Sequence, residues 1–276
     1  MKYSLENGKE INFDHTYIMG IINVTPDSFY PGSRIDRDRL IDTVSQMIKH
    51  GAEIIDVGGE STRPGAQEVS LEEELNRVVP AIEIIKNNFD IIVSVDTYKS
   101  KVAEESLKLG ADIINDISAF RFDENMVNIA KKYDCPVILM HMKGTPRNMQ
   151  QNPFYEDTIG EIITFLKERI EFSKKHGVEK IIIDPGIGFG KRLIDNLLIL
   201  KHIDEFKKLG YPVLVGASRK SMIGMILDLP VEERLEGTLA ITAYSVMKDV
   251  DIIRVHDVKE NYRVVKVIEA IKNAVG

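Results

Sequence analysis

Short apolar runs alternate with longer amphipathic segments along most of the chain. The apolar runs are nearly continuous, as in Ile91–Val95, which is typical of parallel strands buried on both faces. The predicted strands are Tyr17–Ile22, Glu53–Val57, Ile91–Val95, Asp112–Asn115, Val137–Met140, Lys180–Ile183, Pro212–Val215 and Asp251–Val255. The predicted helices are Asp38–His50, Leu71–Asn88, Lys99–Leu109, Asp123–Tyr133, Ile159–His176, Leu193–Leu209, Val231–Met247 and Val258–Ala274. The pattern therefore predicts a chain built from repeated strand–helix units.

Eight such units in a chain of 276 residues favour a (β/α)8 TIM barrel, an α/β fold. The main alternative is a doubly wound open sheet, which usually has a glycine-rich turn after its first strand. Here the first strand is followed by Asn23–Pro26, which is not such a turn. Tyr3–Leu5 and Ile11–Phe13 flank an Asn-Gly pair, a signal for a short N-terminal β-hairpin. No linker interrupts the pattern, so residues 1–276 are expected to form one domain.

Composition excludes several other classes of protein. Hydrophobic residues make up 43% and charged residues 29% of the chain, too apolar a balance for a disordered protein. The one cysteine, Cys135, excludes an intrachain disulfide and a cysteine-based zinc site. A net charge of −7 argues against broad nucleic-acid binding. The first residues lack the pattern of a secretory signal and no apolar stretch is long enough for a membrane span. A cytoplasmic location is therefore expected.

Polar or glycine residues follow every predicted strand. The carboxyl ends of the strands meet at one rim of a TIM barrel, where its chemistry is carried. A single residue of this kind is more often a helix cap, but a complete set indicates a site. The residues at the strand ends are Asn23, Gly58–Gly65, Asp96, Asn115, Asp116, His141–Thr145, Asp184–Lys191, Gly216–Ser221, Arg254 and His256.

These strand ends contain two chemically distinct sets of side chains. The cationic set suits a phosphorylated ligand and consists of Arg63, Arg219, Lys220, Arg254 and His256. The carboxylate and amide set is Asp96, Asn115 and Asp184. It suits a planar heterocycle with N–H donors, and an acid–base pair of aspartates is an equally open interpretation. The glycine-rich run Gly186–Lys191 has the wrong spacing for a nucleotide-binding loop.

The strand ends also resemble a known family. The motifs that carry the resemblance are Asn23–Phe29, Asp56–Gly65, Ser94–Thr97, Ile114–Ile117, Asp184–Lys191, Gly216–Ser221 and Arg254–Asp257. Together and in this order they resemble the dihydropteroate synthases, from about residue 17 to the last strand. The resemblance implies the same eightfold barrel and a transferase of folate biosynthesis. It implies magnesium as the metal cofactor and a homodimer formed through the last helices.

The reaction implied by the resemblance joins para-aminobenzoate to 6-hydroxymethyl-7,8-dihydropterin pyrophosphate. The products are 7,8-dihydropteroate and pyrophosphate. The implied mechanism is dissociative and passes through a pterin methylene cation, so no protein nucleophile is required. The residues implied as catalytic are Asn23, Asp96, Lys220 and Arg254.

The resemblance also implies three groups of binding residues. Those for the pterin are Asp96, Asn115, Ile117, Met140, Asp184, Phe189, Gly216, Lys220 and Arg254. Those for the pyrophosphate are Asn23, Arg254 and His256, with Asn23 also the magnesium contact. Those for the aminobenzoate are Phe29, Thr62, Arg63, Pro64, Arg219 and Ser221.

The first loop departs from the family pattern. Pro31 stands where these enzymes usually have a second aspartate that helps to hold the cationic intermediate. One alternative is a methyltetrahydrofolate:corrinoid methyltransferase, which shares the barrel and the pterin pocket. Such an enzyme has no need of the Ser218–Ser221 cationic run or of a pyrophosphate subsite. Another alternative, favoured only by Pro31, is a pterin-binding homologue without catalysis.

Overall fold

A computed structural model describes residues 1–6, 8–25, 34–61 and 65–275, without the side chains of residues 34–36. The strands are β1 (Tyr3–Ser4), β2 (Glu10–Ile11), β3 (Tyr17–Asn23), β4 (Ile54–Gly58), β5 (Ile92–Asp96), β6 (Ile113–Asp116), β7 (Val137–Met140), β8 (Ile181–Asp184), β9 (Leu214–Val215) and β10 (Ile252–Val255). Strands β3 to β10 form one parallel sheet in the order β8-β7-β6-β5-β4-β3-β10-β9. A bridge between Ile183 and Val213 brings its two edges together. The sheet is therefore a nearly closed barrel, and the predicted TIM fold is confirmed.

Helices connect the barrel strands, close to the predicted positions. They are α1 (Arg34–Lys49), α2 (Leu71–Asn88), α3 (Ser100–Lys108), α4 (Met126–Lys132), α5 (Thr158–Lys175), α6 (Leu193–Lys201), α7 (Ile203–Lys207), α8 (Ser221–Leu227), α9 (Leu235–Met247) and α10 (Val258–Lys272). A 3-10 turn, Val231–Glu233, precedes α9. No helix in the described part of the chain is long and apolar enough to cross a membrane.

Two helix predictions were wrong in detail, and one helix was not predicted. The segment predicted as one helix, Val231–Met247, begins with that 3-10 turn, and α9 starts only at Leu235. The segment predicted as one helix, Leu193–Leu209, is split into α6 and α7 because the backbone of His202 leaves the helical conformation and caps both. Helix α8 was not predicted. It has only seven residues, and Gly224 lies in its middle, where glycine is intrinsically unfavourable for a helix.

The alternation of side chains along each strand divides the barrel interior into layers. Side chains two residues apart point to the same face of a strand. The lower interior layer is apolar and buried, and it comprises Met19, Ile54, Ile92, Ile113, Ile138, Ile182, Leu214 and Ile252. The predicted hairpin, β1 and β2, packs Tyr3, Leu5 and Ile11 against this layer. The Tyr3 hydroxyl donates a hydrogen bond of 2.7 Å to the carbonyl of Ile181. The hairpin thus closes the lower end of the barrel.

The next interior layer, two residues further along each strand, is largely polar. We call it the upper layer, and it comprises Ile21, Asp56, Ser94, Asn115, Met140, Asp184, Gly216 and Arg254. Asp96, Asn23 and Gly58 occupy the next inward positions of their strands. The period of two in the strands therefore directs the polar residues at the strand ends towards the barrel axis.

Candidate active site

Arg254 lies between two carboxylates at the centre of the upper layer. Its Nε donates to Asp56 Oδ2 and its Nη2 donates to Asp96 Oδ2, both at 2.6 Å. Asn115 Nδ2 also donates to Asp56 Oδ2, at 3.1 Å. The Asp56 side chain is completely buried, whereas 21% of the Arg254 side chain remains exposed. The guanidinium is thus held from below and is open on its solvent side.

The two carboxylates also have unused acceptor atoms. Oδ1 of Asp56 and Oδ1 of Asp96 are buried and have no hydrogen-bond partner among the described residues. Burial raises the pKa of Asp96 to about 7, although the charge of Arg254 opposes the shift. Burial disfavours the charge of Arg254, but Asp56 and Asp96 together raise its pKa above the usual value. Buried polar atoms without partners indicate a place where a ligand supplies hydrogen-bond donors.

Asp184 and Lys220 are two further titratable groups in this part of the barrel, and each affects the pKa of the other. Asp184 Oδ1 accepts a hydrogen bond of 2.7 Å from the backbone N–H of Gly186. Burial raises the pKa of Asp184, against the opposing effects of the Gly186 N–H and of Lys220. Lys220 Nζ donates to the carbonyl of Ile187 and lies 4.0 Å from the centre of the Phe189 ring. Burial lowers the pKa of Lys220 to about 7, against the opposing effect of Asp184.

An apolar cluster lies beside these charged groups. Ile117, Met140, Met142 and Met149 are buried together, and Phe189 packs against them. The structure therefore brings the predicted wall residues Ile117, Met140 and Phe189 into one cluster. An apolar surface of this kind next to hydrogen-bonding groups suits an aromatic heterocycle.

The residues that follow β9 and β10 make contacts at the rim. His256 is exposed, and its Nδ1 lies 3.0 Å from the Ser218 hydroxyl. The Arg219 guanidinium pairs with both oxygens of Asp257, at 2.8 and 2.9 Å. It also donates to the carbonyls of Val231 and Glu232. Most N–H groups of Arg219 are therefore engaged within the protein.

Three further predicted residues occupy other positions at this end of the barrel. Asn23 ends β3 and is half-buried. Ser221 is exposed and begins α8. Gly216 follows β9, and a Cβ built on it would lie 3.8 Å from the Cβ of Arg254. Gly216 therefore belongs to the upper layer, Asn23 lies at the next inward position, and Ser221 begins the helix that follows β9.

The chain matches the family model of pterin-binding enzymes over residues 19–256. A dihydropteroate synthase of Clostridium beijerinckii is 52% identical over 268 residues, covering 95% of this chain and 97% of the relative. The chain belongs to the dihydropteroate synthase family. The Escherichia coli K12 dihydropteroate synthase is 47% identical over 272 residues, covering 97% of this chain and 95% of that enzyme.

Solved dihydropteroate synthases share the fold as well as the sequence. The Yersinia pestis enzyme, solved in a sulfonamide drug complex, superimposes with a TM-score of 0.94 at 42% identity. That comparison covers 99% of this chain and 100% of the other. Membership of this family makes the chain a pterin-binding transferase of folate biosynthesis.

Part of the predicted site lies outside the described residues. Phe29, Thr62, Arg63 and Pro64, predicted around the aminobenzoate, fall there, as does Pro31 of the first loop. Conversely, sequence reasoning did not select Asp56 as a site residue, although its motif is typical of dihydropteroate synthases. The signal was a lone carboxylate inside an otherwise apolar strand, Ile54–Gly58, because such a residue is rarely buried without a partner.

Proposed function

We propose that this barrel condenses 6-hydroxymethyl-7,8-dihydropterin pyrophosphate with para-aminobenzoate by a dissociative mechanism. The observation that carries this proposal is the polar upper layer. Buried acceptors and the partly exposed Arg254 lie in this layer, and Lys220 and an apolar wall lie beside it, at the carboxyl ends of the strands. A pterin presents donors and acceptors on the edge of a flat ring, and the layer offers partners of both kinds.

The pterin is held by groups that surround the wall of Ile117, Met140 and Phe189. The Asp184 carboxylate accepts from the amino group and a ring N–H of the pterin, while Asn115 and Asp96 recognise another part of its edge. Lys220 donates to the ring carbonyl and a ring nitrogen. Its Nζ lies 4.0 Å from the centre of the Phe189 ring, next to the wall against which the pterin would pack.

The pyrophosphate is bound by Arg254, His256 and Asn23. The exposed side of Arg254 and the exposed ring of His256 provide donors for phosphate oxygens. The described residues contain no cluster of three acidic, histidine or cysteine side chains that could enclose a metal ion. Magnesium instead commonly keeps several waters and takes few protein ligands alongside substrate phosphates, and the half-buried Asn23 fits that role. Bound there, magnesium would neutralise charge on the departing pyrophosphate.

The reaction begins with loss of pyrophosphate, which leaves a pterin methylene cation. The Asp96 carboxylate stabilises positive charge spread over the ring, an electrostatic role that needs no movement at the moment of reaction. The aniline nitrogen of para-aminobenzoate then attacks the methylene carbon and releases a proton. The aminobenzoate is bound by residues that follow β3, β4 and β9 in the sequence. They are Phe29, Thr62, Arg63, Pro64, Arg219 and Ser221.

The decisive test is release of pyrophosphate from the pterin ester with and without para-aminobenzoate. Release that depends on added aminobenzoate, together with formation of dihydropteroate, supports the proposal. Binding of the pterin without turnover would favour a non-catalytic homologue instead. Transfer of a methyl group from methyltetrahydrofolate to a corrinoid would favour the methyltransferase alternative. A sample without magnesium should release pyrophosphate much more slowly.

The pH profile of kcat/KM for the pterin ester is expected to be a narrow bell centred near pH 7. Below this pH the Asp96 carboxyl, whose pKa burial raises to about 7, becomes protonated and no longer stabilises positive charge. Above it Lys220, whose pKa burial lowers to about 7, loses the proton that it donates. Such bells report the free enzyme's essential groups. Lys220→Arg should retain activity at higher pH, because a guanidinium stays protonated. A flat profile across this range would contradict both assignments.

A homodimer formed through the last helices is a further part of the proposal. Helices α8 and α9 pack against each other and expose Met225, Ile226, Tyr244 and Met247, each at least 41% accessible. Exposed large apolar side chains on neighbouring helices favour an interface between subunits. Light scattering should give twice the 31.2 kDa chain mass for the native protein and the single mass for Met225→Glu with Ile226→Lys. Leu71→Glu, on α2, is the control and should remain dimeric.

The location of the enzyme is proposed to be the cytoplasm. Cys135 is the chain's one cysteine, and its thiol is buried with a pKa raised by burial to about 12. A chain that forms no intrachain disulfide suits a reducing compartment. Cell fractionation followed by detection of the native protein would test this location.

A further inference from the structure

The loop after β8 is held in place at almost every peptide. Its residues run from Pro185 to Lys191, and several of its glycines are left-handed. The Gly186 N–H donates to Asp184, the Ile187 carbonyl accepts from Lys220, and the Gly188 N–H donates to Asn196. The Gly190 carbonyl accepts from the hydroxyl of Tyr155. The loop is therefore a fixed support for the Phe189 ring.

Lys191 is the last residue of this loop, and its side chain contacts the loop backbone from a buried position. The proposed reaction does not use this side chain. Only 3% of the residue is exposed. Its Nζ lies 3.0 Å from the carbonyl oxygen of Phe189, 3.0 Å from Nδ1 of His141 and 3.3 Å from the carbonyl oxygen of His141. One amine thus joins the loop after β8 to the end of β7.

The buried Lys191 amine makes three hydrogen-bonding contacts. Burial lowers the pKa of Lys191 well below its usual value and likewise lowers the pKa of His141. The Lys191 Nζ donates to the carbonyls of Phe189 and His141, and its third contact is with Nδ1 of His141. No contact of the amine is therefore left without a partner.

His141 carries the connection onward to Asp184. Its backbone N–H donates 2.9 Å to the carbonyl of Asp184. Its own carbonyl lies so close to Gly186 that a Cβ on that residue would approach within 1.9 Å. Gly186 has φ of 71°, a conformation that favours glycine. The position of the Asp184 backbone and that of the Phe189 backbone are therefore coupled through Lys191 and His141.

We infer that Lys191 is a positioning residue, which holds the Asp184 carboxylate and the Phe189 ring in register for one flat ligand. The inference rests on the proposed pterin site, because its effect is exerted through Asp184 and Phe189. Lys191 does not touch the ligand. Groups that bind a rigid ligand must be held within a fraction of an ångström of the productive geometry, and supporting contacts provide that precision.

Lys191→Met keeps the apolar stem of the side chain and removes the amine. We expect it to weaken binding of 6-hydroxymethylpterin by roughly tenfold or more, as misplacement of contact groups does. The KM for the pterin ester should rise with it, while the KM for para-aminobenzoate and kcat change little. Calorimetry measures the pterin affinity, and steady-state kinetics measure the separate KM values.

The matched control is Lys86→Met at the opposite end of the barrel. Lys86 Nζ donates to the carbonyl of Ile91 at 3.2 Å and pairs with Asp112 at 3.0 Å, with 17% of its side chain exposed. Both variants should lower the melting temperature, but only Lys191→Met should lower pterin affinity. Equal losses of affinity, or equal rises of both KM values, would show a general structural effect and overturn the inference.

His141→Leu provides an independent variant, because it removes the Nδ1 contact and leaves Lys191 in place. It should lower pterin affinity in the same direction as Lys191→Met. If neither variant folds while Lys86→Met does, the pair is needed for folding and the positioning role is wrong. Absence of pterin binding by the native protein would overturn the proposed function itself. Native binding with an unchanged Lys191→Met affinity would overturn only this inference.

Discussion

Asp184→Asn is expected to lower the affinity for the pterin by about 2–4 kcal/mol, the cost of a lost charge-assisted pair of hydrogen bonds. The Gly186 N–H already occupies Oδ1 of Asp184. In asparagine the amide oxygen will take that position, so its NH2 group faces the pterin's own donors. The substitution therefore replaces an acceptor by a donor at the atom that binds the ligand. Calorimetry with 6-hydroxymethylpterin measures the loss.

A matched control for this change exists at the other end of the barrel. Asp112 is also buried, and its carboxylate accepts from the backbone N–H of Val93 and from Lys86. Asp112→Asn should lower stability and leave pterin affinity as in the native protein. If Asp184→Asn binds the pterin normally, Asp184 is not the principal acceptor, and the assignment of the pterin pocket fails.

Arg254→Ala is expected to lower the affinities for two pterin ligands, the pyrophosphate ester and the alcohol, to different extents. Arg254 can contact both the ring and the pyrophosphate, whereas Lys220 contacts the ring alone. The variant should therefore lose roughly 10- to 100-fold more affinity for the pyrophosphate ester than for the pterin alcohol, the range of a hydrogen bond to a charged group. Lys220→Ala should reduce both affinities by similar factors. Equal losses for both ligands in Arg254→Ala would make Arg254 a structural residue only.

The same substitution should also change how stability depends on pH. Arg254 is the shared partner of Asp56 and Asp96, so its removal leaves two buried carboxylates without their cation. Breaking a buried ion pair in this way typically costs about 3–5 kcal/mol. Protonation of Asp96, whose pKa burial raises to about 7, relieves part of that cost, so the loss of stability should be largest at alkaline pH and smaller in acid. Urea unfolding at several pH values measures it.

The barrel could be predicted from the sequence because each of its strands is a short, almost purely apolar run. Strand β7 begins and ends where the pattern places it, and the other barrel strands differ by one or two residues at one or both ends. Short elements were harder to predict. Helix α8 joins apolar residues on all sides around Gly224, so no helical period is visible. No local sequence signal predicts the break between α6 and α7 at His202.

The sequence predicted the site residues that lie near strand ends, but it did not predict the roles of those that lie elsewhere. Asp184 is the last residue of its strand and Asn115 and Arg254 are the last but one of theirs, all on the inward face, so the barrel brings them together. Asp56 lies inside a strand, and its importance comes from its contact with Arg254, 198 residues away. Lys191 belongs to a motif excluded as a nucleotide loop. Its contacts with His141 are set by the fold, so spacing alone could not assign them.

The division of the barrel into an apolar lower layer and a polar upper layer has an evolutionary consequence. Ser94 has a buried hydroxyl without a partner among the described residues, and Asp56 and Asp96 have unpartnered oxygens beside it. Such atoms lower stability, and natural selection retains them only while turnover matters. A lineage that obtains folate from its surroundings should therefore lose the upper-layer polar residues first. The apolar lower layer and the helices would continue to stabilise the barrel after catalytic activity had been lost.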